Sequence, residues 1–169
     1  MTDKTTCDLR TLIEASSELA EERMAADGEV TPVWRAFDAD GRFYIIPSPP
    51  LDDKDAMMAV MRRIFAKLKI VRVVFTNEAW YVAAQGTDFA KLEAWLATHD
   101  DSIEDYPDRR EIVMFHGEDA DGLTLDGMRT IIRSGGGKPT LGPLEIHQLS
   151  NGEGRMIGML PRPEGSTTQ

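Results

Sequence analysis

Apolar positions in residues 8–27 recur at helical spacing. Leu9, Leu12, Ile13, Ala20 and Met24 fall near a period of 3.6, and Glu14, Glu18, Glu21 and Glu22 take the opposite side. Gly28 supplies a stop, because a residue without a Cβ enters the left-handed region freely. Two extended runs follow at 33–37 and 42–47, separated by Asp38-Ala39-Asp40-Gly41. Asp-Gly between apolar-rich runs predicts a hairpin, and Pro47-Ser48-Pro49-Pro50 ends the second run.

Residues 52–69 carry the clearest helical stripe: Met57, Val60, Met61, Ile64, Phe65 and Leu68. Asp52 is expected to cap this helix, with Asp53 and Asp55 suiting its positive end and Lys67 and Lys69 its negative end. Residues 70–84 read as a strand. Both of its faces are apolar at the start, which places it centrally in a sheet. A short helix over 88–98, capped by Thr87, and an acidic loop at 99–108 lead into an all-β last third. Strands are expected at 111–116, 123–133, 144–149 and 155–160. Asp121-Gly122 and Asn151-Gly152 mark turns, and 134–138 form a glycine-rich connection.

The order α-β-β-α-β-α-β-β-β-β points to the α+β class: a mostly antiparallel sheet with about three helices packed on it as a two-layer sandwich. Residues 1–160 are expected to form a single domain, and 161–169, without an apolar pattern, a flexible C-terminal tail.

Charge narrows the function classes. The chain has 169 residues, 29 Asp+Glu against 19 Lys+Arg, and a net charge of −10. The acidity is uneven: residues 31–70 carry seven basic and five acidic side chains, while every other stretch is acidic. Binding to nucleic acid needs a broad basic footprint on the phosphates, so that class is set aside. Cys7 is the only cysteine, which removes intramolecular disulfides and cysteine-based zinc sites. No apolar run reaches the ~18 residues of a membrane span, and the N-terminal residues lack a secretory pattern. The expectation is a soluble, cytoplasmic protein with no membrane partner.

Three motif fragments resolve to turns and loops. Asp-Ala-Asp-Gly occurs at 38–41 and 119–122, resembling part of a calcium loop. Setting Gly41 at the sixth position puts Ala36 first and Pro47 twelfth, and setting Gly122 there puts Gly117 first and Met128 twelfth. Both frames lack the essential ligands. Gly137-Lys138 lacks the upstream glycine of a phosphate loop, since Ile132 stands there, and Pro139 follows the lysine. His116 and His147 would bind a metal only if the fold joined them to a carboxylate. No nucleophile elbow is present. No metal and no cofactor are therefore expected.

Two constellations remain. Glu78 and Trp80 share one face of the central strand, and a carboxylate among apolar neighbours needs a partner. Arg109 or Arg110 is expected to provide it, as a structural strut or as one wall of a pocket with His116 and Glu118. Separately, Arg62, Arg63, Lys67 and Lys69 form a basic face suited to an acidic partner. The leading functional expectation is a non-catalytic protein-interaction or regulatory domain, binding a protein partner or itself as a homo-oligomer. The alternative is a small hydrolase or ligand-binding enzyme with a pocket around Glu78, Trp80, Arg110, His116 and Glu118.

Overall fold

The Asp8 carboxylate accepts a 2.7 Å hydrogen bond from the Thr11 backbone N–H and starts α1 (Leu9–Asp27). Gly28, at φ 78°, ends that helix by donating its N–H to the Met24 carbonyl. In the computed structural model, which describes residues 7–84, 86–100, 102–149 and 158–161, nine further elements follow. They are β1 (Val33–Asp38), β2 (Phe43–Pro47), α2 (Lys54–Leu68), β3 (Ile70–Tyr81), α3 (Thr87–Thr98), β4 (Arg110–Asp119), β5 (Thr124–Ile132), β6 (Thr140–Leu141) and β7 (Glu145–Gln148). The strands pair antiparallel in a curled sheet of order β2-β1-β3-β4-β5-β6, with β7 also paired to β5. The α+β class and element order are those the sequence pattern predicts.

Several local expectations need correction. Asp53, not Asp52, caps α2, accepting from the N–H groups of Asp55 and Ala56. Thr87 already lies inside α3, and Gly86 occupies the cap position without a side-chain bond. Strand β3 stops at Tyr81, and β4 runs on past His116 to Asp119 because its pairing with β3 continues to Arg72. The expected turn at Asn151-Gly152, residues 155–157 of the expected last strand and residues 162–169 lie outside the described residues; residues 158–160 form no strand, and β6 is a strand that the pattern does not predict.

Alternation along β3 and β4 divides the core in two. On one face, Leu9, Leu12, Ile13, Ala20 and Met24 of α1 bury Val74, Val113, Phe115 and Leu125. On the other, Met58, Met61 and Phe65 of α2 bury Trp34, Ala36, Val73 and Phe75, joined by Met159 and Leu160. Each large apolar side chain so buried contributes about 1.5–3 kcal/mol. Lys138, in the glycine-rich connection, donates to the carbonyl of Ala26 at the end of α1, where a cation complements the helix dipole. None of the described α1–α3 helices is long and apolar enough to cross a membrane.

Candidate functional site

The β3–β4 register decides which sequence-predicted site residues can meet. Glu78 lies opposite Val113 and Trp80 opposite Glu111, on the α1 face. Tyr81 lies opposite Arg110, Phe75 opposite His116 and Val73 opposite Glu118, on the α2 face. The sheet therefore stands between Glu78 and Trp80 on one side and Arg110, His116 and Glu118 on the other. The five do not converge on a cleft.

Each has a local partner instead. Glu78 accepts a 2.8 Å hydrogen bond from the backbone N–H of Val30, just after α1. The Arg109 guanidinium lies 4.6 Å from the Trp80 ring centre, and that of Arg110 lies 5.5 Å from the Tyr81 ring centre. The expected Glu78–Arg110 strut is absent, because Arg110 points to the opposite face. The ion pair at this end of the sheet joins Glu111 to Arg133 at 2.6 Å. Glu118 accepts from the N–H groups of Met159 and Leu160, both at 3.0 Å, and pins that segment over the α2 core. His116 Nδ1 is 2.5 Å from Asp126 Oδ1. His147 stands opposite Asp126 on the next strand. Yet among the described residues no three His, Cys, Asp or Glu side chains are placed to hold a metal ion.

The basic stretch on α2 is partly engaged within the chain. Arg62 Nε donates to the Gly158 carbonyl at 3.3 Å. Lys67 and Lys69 border a shallow cavity with Asp38, Asp40 and Arg42. Arg63 is exposed.

A different region combines exposure, apolar surface and unsatisfied charge. Helix α1 packs against β3 to β6 and leaves the β1–β2 end of its face open. No described strand pairs with the outer edge of β2. Its residues Phe43 and Ile45 are 46% and 60% exposed, so an apolar, uncharged strand edge faces solvent. Between this end of the sheet and the C-terminal half of α1 lies a cavity of about 660 Å³.

Arg35 lines that cavity. It sits on β1 opposite Ile45 and Val74. Only 9% of its surface is exposed. Its Nη1 makes one long hydrogen bond, 3.4 Å, to the Thr76 hydroxyl, and its Nε has no acceptor. Burial pulls its pKa below the ordinary guanidinium value, and the charge of nearby Arg23 adds to the effect. Arg129, equally buried at 8%, provides the contrast. It donates to Glu21, Ser17 and the carbonyls of Leu141 and Gly142. Sequence reasoning passed over Arg35, although a lone cation in Val33-Trp34-Arg35-Ala36-Phe37 was the available signal.

Comparison with protein-family models, with curated proteins and with solved structures gives no match.

Proposed function

We propose that this protein is a non-catalytic interaction domain that self-associates through the free edge of β2. The observation that carries this reading is the exposure of Phe43 and Ile45 on a strand whose outer edge no described strand pairs. An unpaired edge presents a row of backbone donors and acceptors, and proteins ordinarily blunt such edges with charge, bulges or cover. Strand β2 reads Phe-Tyr-Ile-Ile-Pro and has only its terminal proline as a blunting device.

Charge supports a second copy as the partner. Strand β2 carries no charged side chain, and the β1–β2 hairpin, residues 33–47, balances Arg35 and Arg42 against Asp38 and Asp40. Approach through β2 therefore minimises repulsion between two chains that each carry −10. Antiparallel pairing about a twofold axis at Ile45 sets Ile45 beside its mate and Phe43 beside the opposing Pro47. Such a contact is self-complementary, as a closed dimer requires.

Sedimentation equilibrium across the micromolar range tests the proposal. The wild type is expected at twice the chain mass, and Ile45→Lys at the monomer mass with an unchanged far-ultraviolet circular dichroism spectrum, its melting temperature falling only by the stabilisation that dimer formation supplies. A wild-type monomer throughout, or an undisturbed dimer in Ile45→Lys, overturns it.

A further inference from the structure

A guanidinium removed from water without a counter-charge loses hydration that nothing replaces, and this destabilises the fold. In this protein the cost is avoided at Arg129 by four acceptors, yet Arg35, at the same depth, has only the Thr76 hydroxyl. The unused donors of Arg35 belong to a side chain that lines an open cavity. Acidic side chains also line that cavity, Glu22 and Glu29 among them, but none makes an ion pair with Arg35. Asp27 is engaged with Arg23 at 3.5 Å.

We propose that this cavity binds a small organic monocarboxylate. Its carboxylate is held by the Arg35 guanidinium and the Thr76 hydroxyl, and its apolar body lies against Leu19, Val33 and Ile45. Three features select this class. The planar fork of an arginine matches the two oxygens of a carboxylate. The remaining wall is largely aliphatic, which favours a hydrocarbon body over a sugar or nucleotide. Glu22, Asp27 and Glu29 outnumber Arg23 and Arg35 around the cavity, so a singly charged head is preferred to a phosphate group. A buried cation is thereby neutralised only when the ligand arrives, which couples occupancy to stability. The inference does not rest on the pairing of β2.

The test uses the full chain and three probes: octanoate, 1-octanol and inorganic phosphate. Titration calorimetry and thermal melting are read for each. Octanoate is expected to bind one per chain and to raise the melting temperature. Octanol, with the same hydrocarbon body and no charge, is expected to bind at least about tenfold more weakly. Phosphate is expected to leave both readouts unchanged. Arg35→Met is expected to lose octanoate binding while melting no lower than the wild type without ligand, because it removes an uncompensated charge. Arg35→Lys keeps the charge but not the fork, and is expected to fold and to bind about tenfold more weakly.

Failure of octanoate to bind overturns the proposal. So does octanol binding as tightly as octanoate, or octanoate binding undiminished in Arg35→Met and Arg35→Lys. Phosphate binding more tightly than octanoate overturns the carboxylate assignment. A marked loss of ligand-free stability or of folding in Arg35→Met assigns Arg35 a structural role and also overturns it.

Discussion

Tyr44 donates a 2.9 Å hydrogen bond from its hydroxyl to Asp38 Oδ2 across the β1–β2 hairpin. The other Asp38 oxygen accepts from the backbone N–H groups of Asp40 and Arg42. The Asp-Ala-Asp-Gly sequence thus works as a turn whose first aspartate is a hub, with Gly41 at φ 80° completing the reversal. The hub holds β2 against β1 and so fixes the position of the open edge.

A pH dependence follows on both sides of neutrality. Burial opposes ionisation of Asp38, but hydrogen bonds from Arg42, Tyr44 and Asp40 outweigh it and hold the carboxyl below its usual value. Stability from this group is present above the unfolded-state value of about 4 and is lost as pH falls through the lower folded value. The Tyr44 hydroxyl is raised, chiefly by its hydrogen bond to Asp38 and further by burial and by the Asp38 charge. Its contribution is present below the unfolded-state value of about 10 and is lost as pH rises through the higher folded value. Asp38→Asn is expected to lower the melting temperature at neutral pH and to flatten both limbs of its pH profile. An unchanged profile would show that the hub is not coupled to folding.

Glu78 and Arg110 are expected to behave as strangers. Glu78→Ala leaves the N–H of Val30, a buried residue, without its acceptor, a loss of about 1–3 kcal/mol. Arg110→Ala removes an exposed cation above a tyrosine ring and should change stability by no more than about 0.5 kcal/mol. Urea denaturation of both single variants and the double variant checks this. Effects that add within about 0.5 kcal/mol agree with the opposite-face placement, and a large coupling energy contradicts it.

The reason this separation escaped the sequence is physical. Face assignment within one strand follows from parity, so Glu78 and Trp80 fall together in the sequence, whereas Glu118 lies past the expected strand end at His116 and shares a face with it only because β4 runs on to Asp119. Relating two strands requires their register, and a slip of one residue exchanges every face. Strands β3 and β4 are joined through α3 and an acidic loop, so no tight turn sets that register from local sequence. The hairpin at Asp38–Gly41 was legible for the opposite reason, because its turn chemistry is local. The helical stripe of α1 was legible because it buries one face; that of α2 was legible only in part, since Met61 and Phe65 are buried but Val60 is exposed and Met58, outside the expected stripe, is buried in its place. The isolation of Arg35 was not, since it depends on which acceptors the fold leaves out of reach.

Glu118 is expected to matter for stability. Its carboxylate is buried and bonds the N–H groups of Met159 and Leu160, which close the core beside Trp34. Glu118→Ala strands both donors and frees the segment, at a cost of about 2–4 kcal/mol. The expected signature is a lower urea midpoint together with faster hydrogen exchange at the Met159 and Leu160 amides. A lower midpoint with those amides still protected would mean that the segment is held by its apolar contacts rather than by Glu118.

The approach of α1 to the sheet depends on two strand glycines. A Cβ added at Gly127 would lie 2.9 Å from Ile13 Cγ2 and 3.3 Å from Phe115 Cβ, and one at Gly117 would lie 2.9 Å from Leu9 Cδ1. A glycine inside a strand pattern marks such close contact; Gly127 falls within the expected strand 123–133, whereas Gly117 lies just past the expected strand 111–116. Gly127→Ala must push α1 outward or force Ile13 off its rotamer, a destabilisation of about 1–3 kcal/mol. Gly142→Ala is the control, because its nearest neighbour would be 3.6 Å away, in ordinary contact. It should stay within about 0.5 kcal/mol of the wild type. If crowding is the cause, Ile13→Ala combined with Gly127→Ala costs less than the sum of the two single changes, since the first removes the atom the second strikes. Strict additivity, or equal losses at Gly127 and Gly142, would place the effect in the backbone and not at the helix–sheet contact.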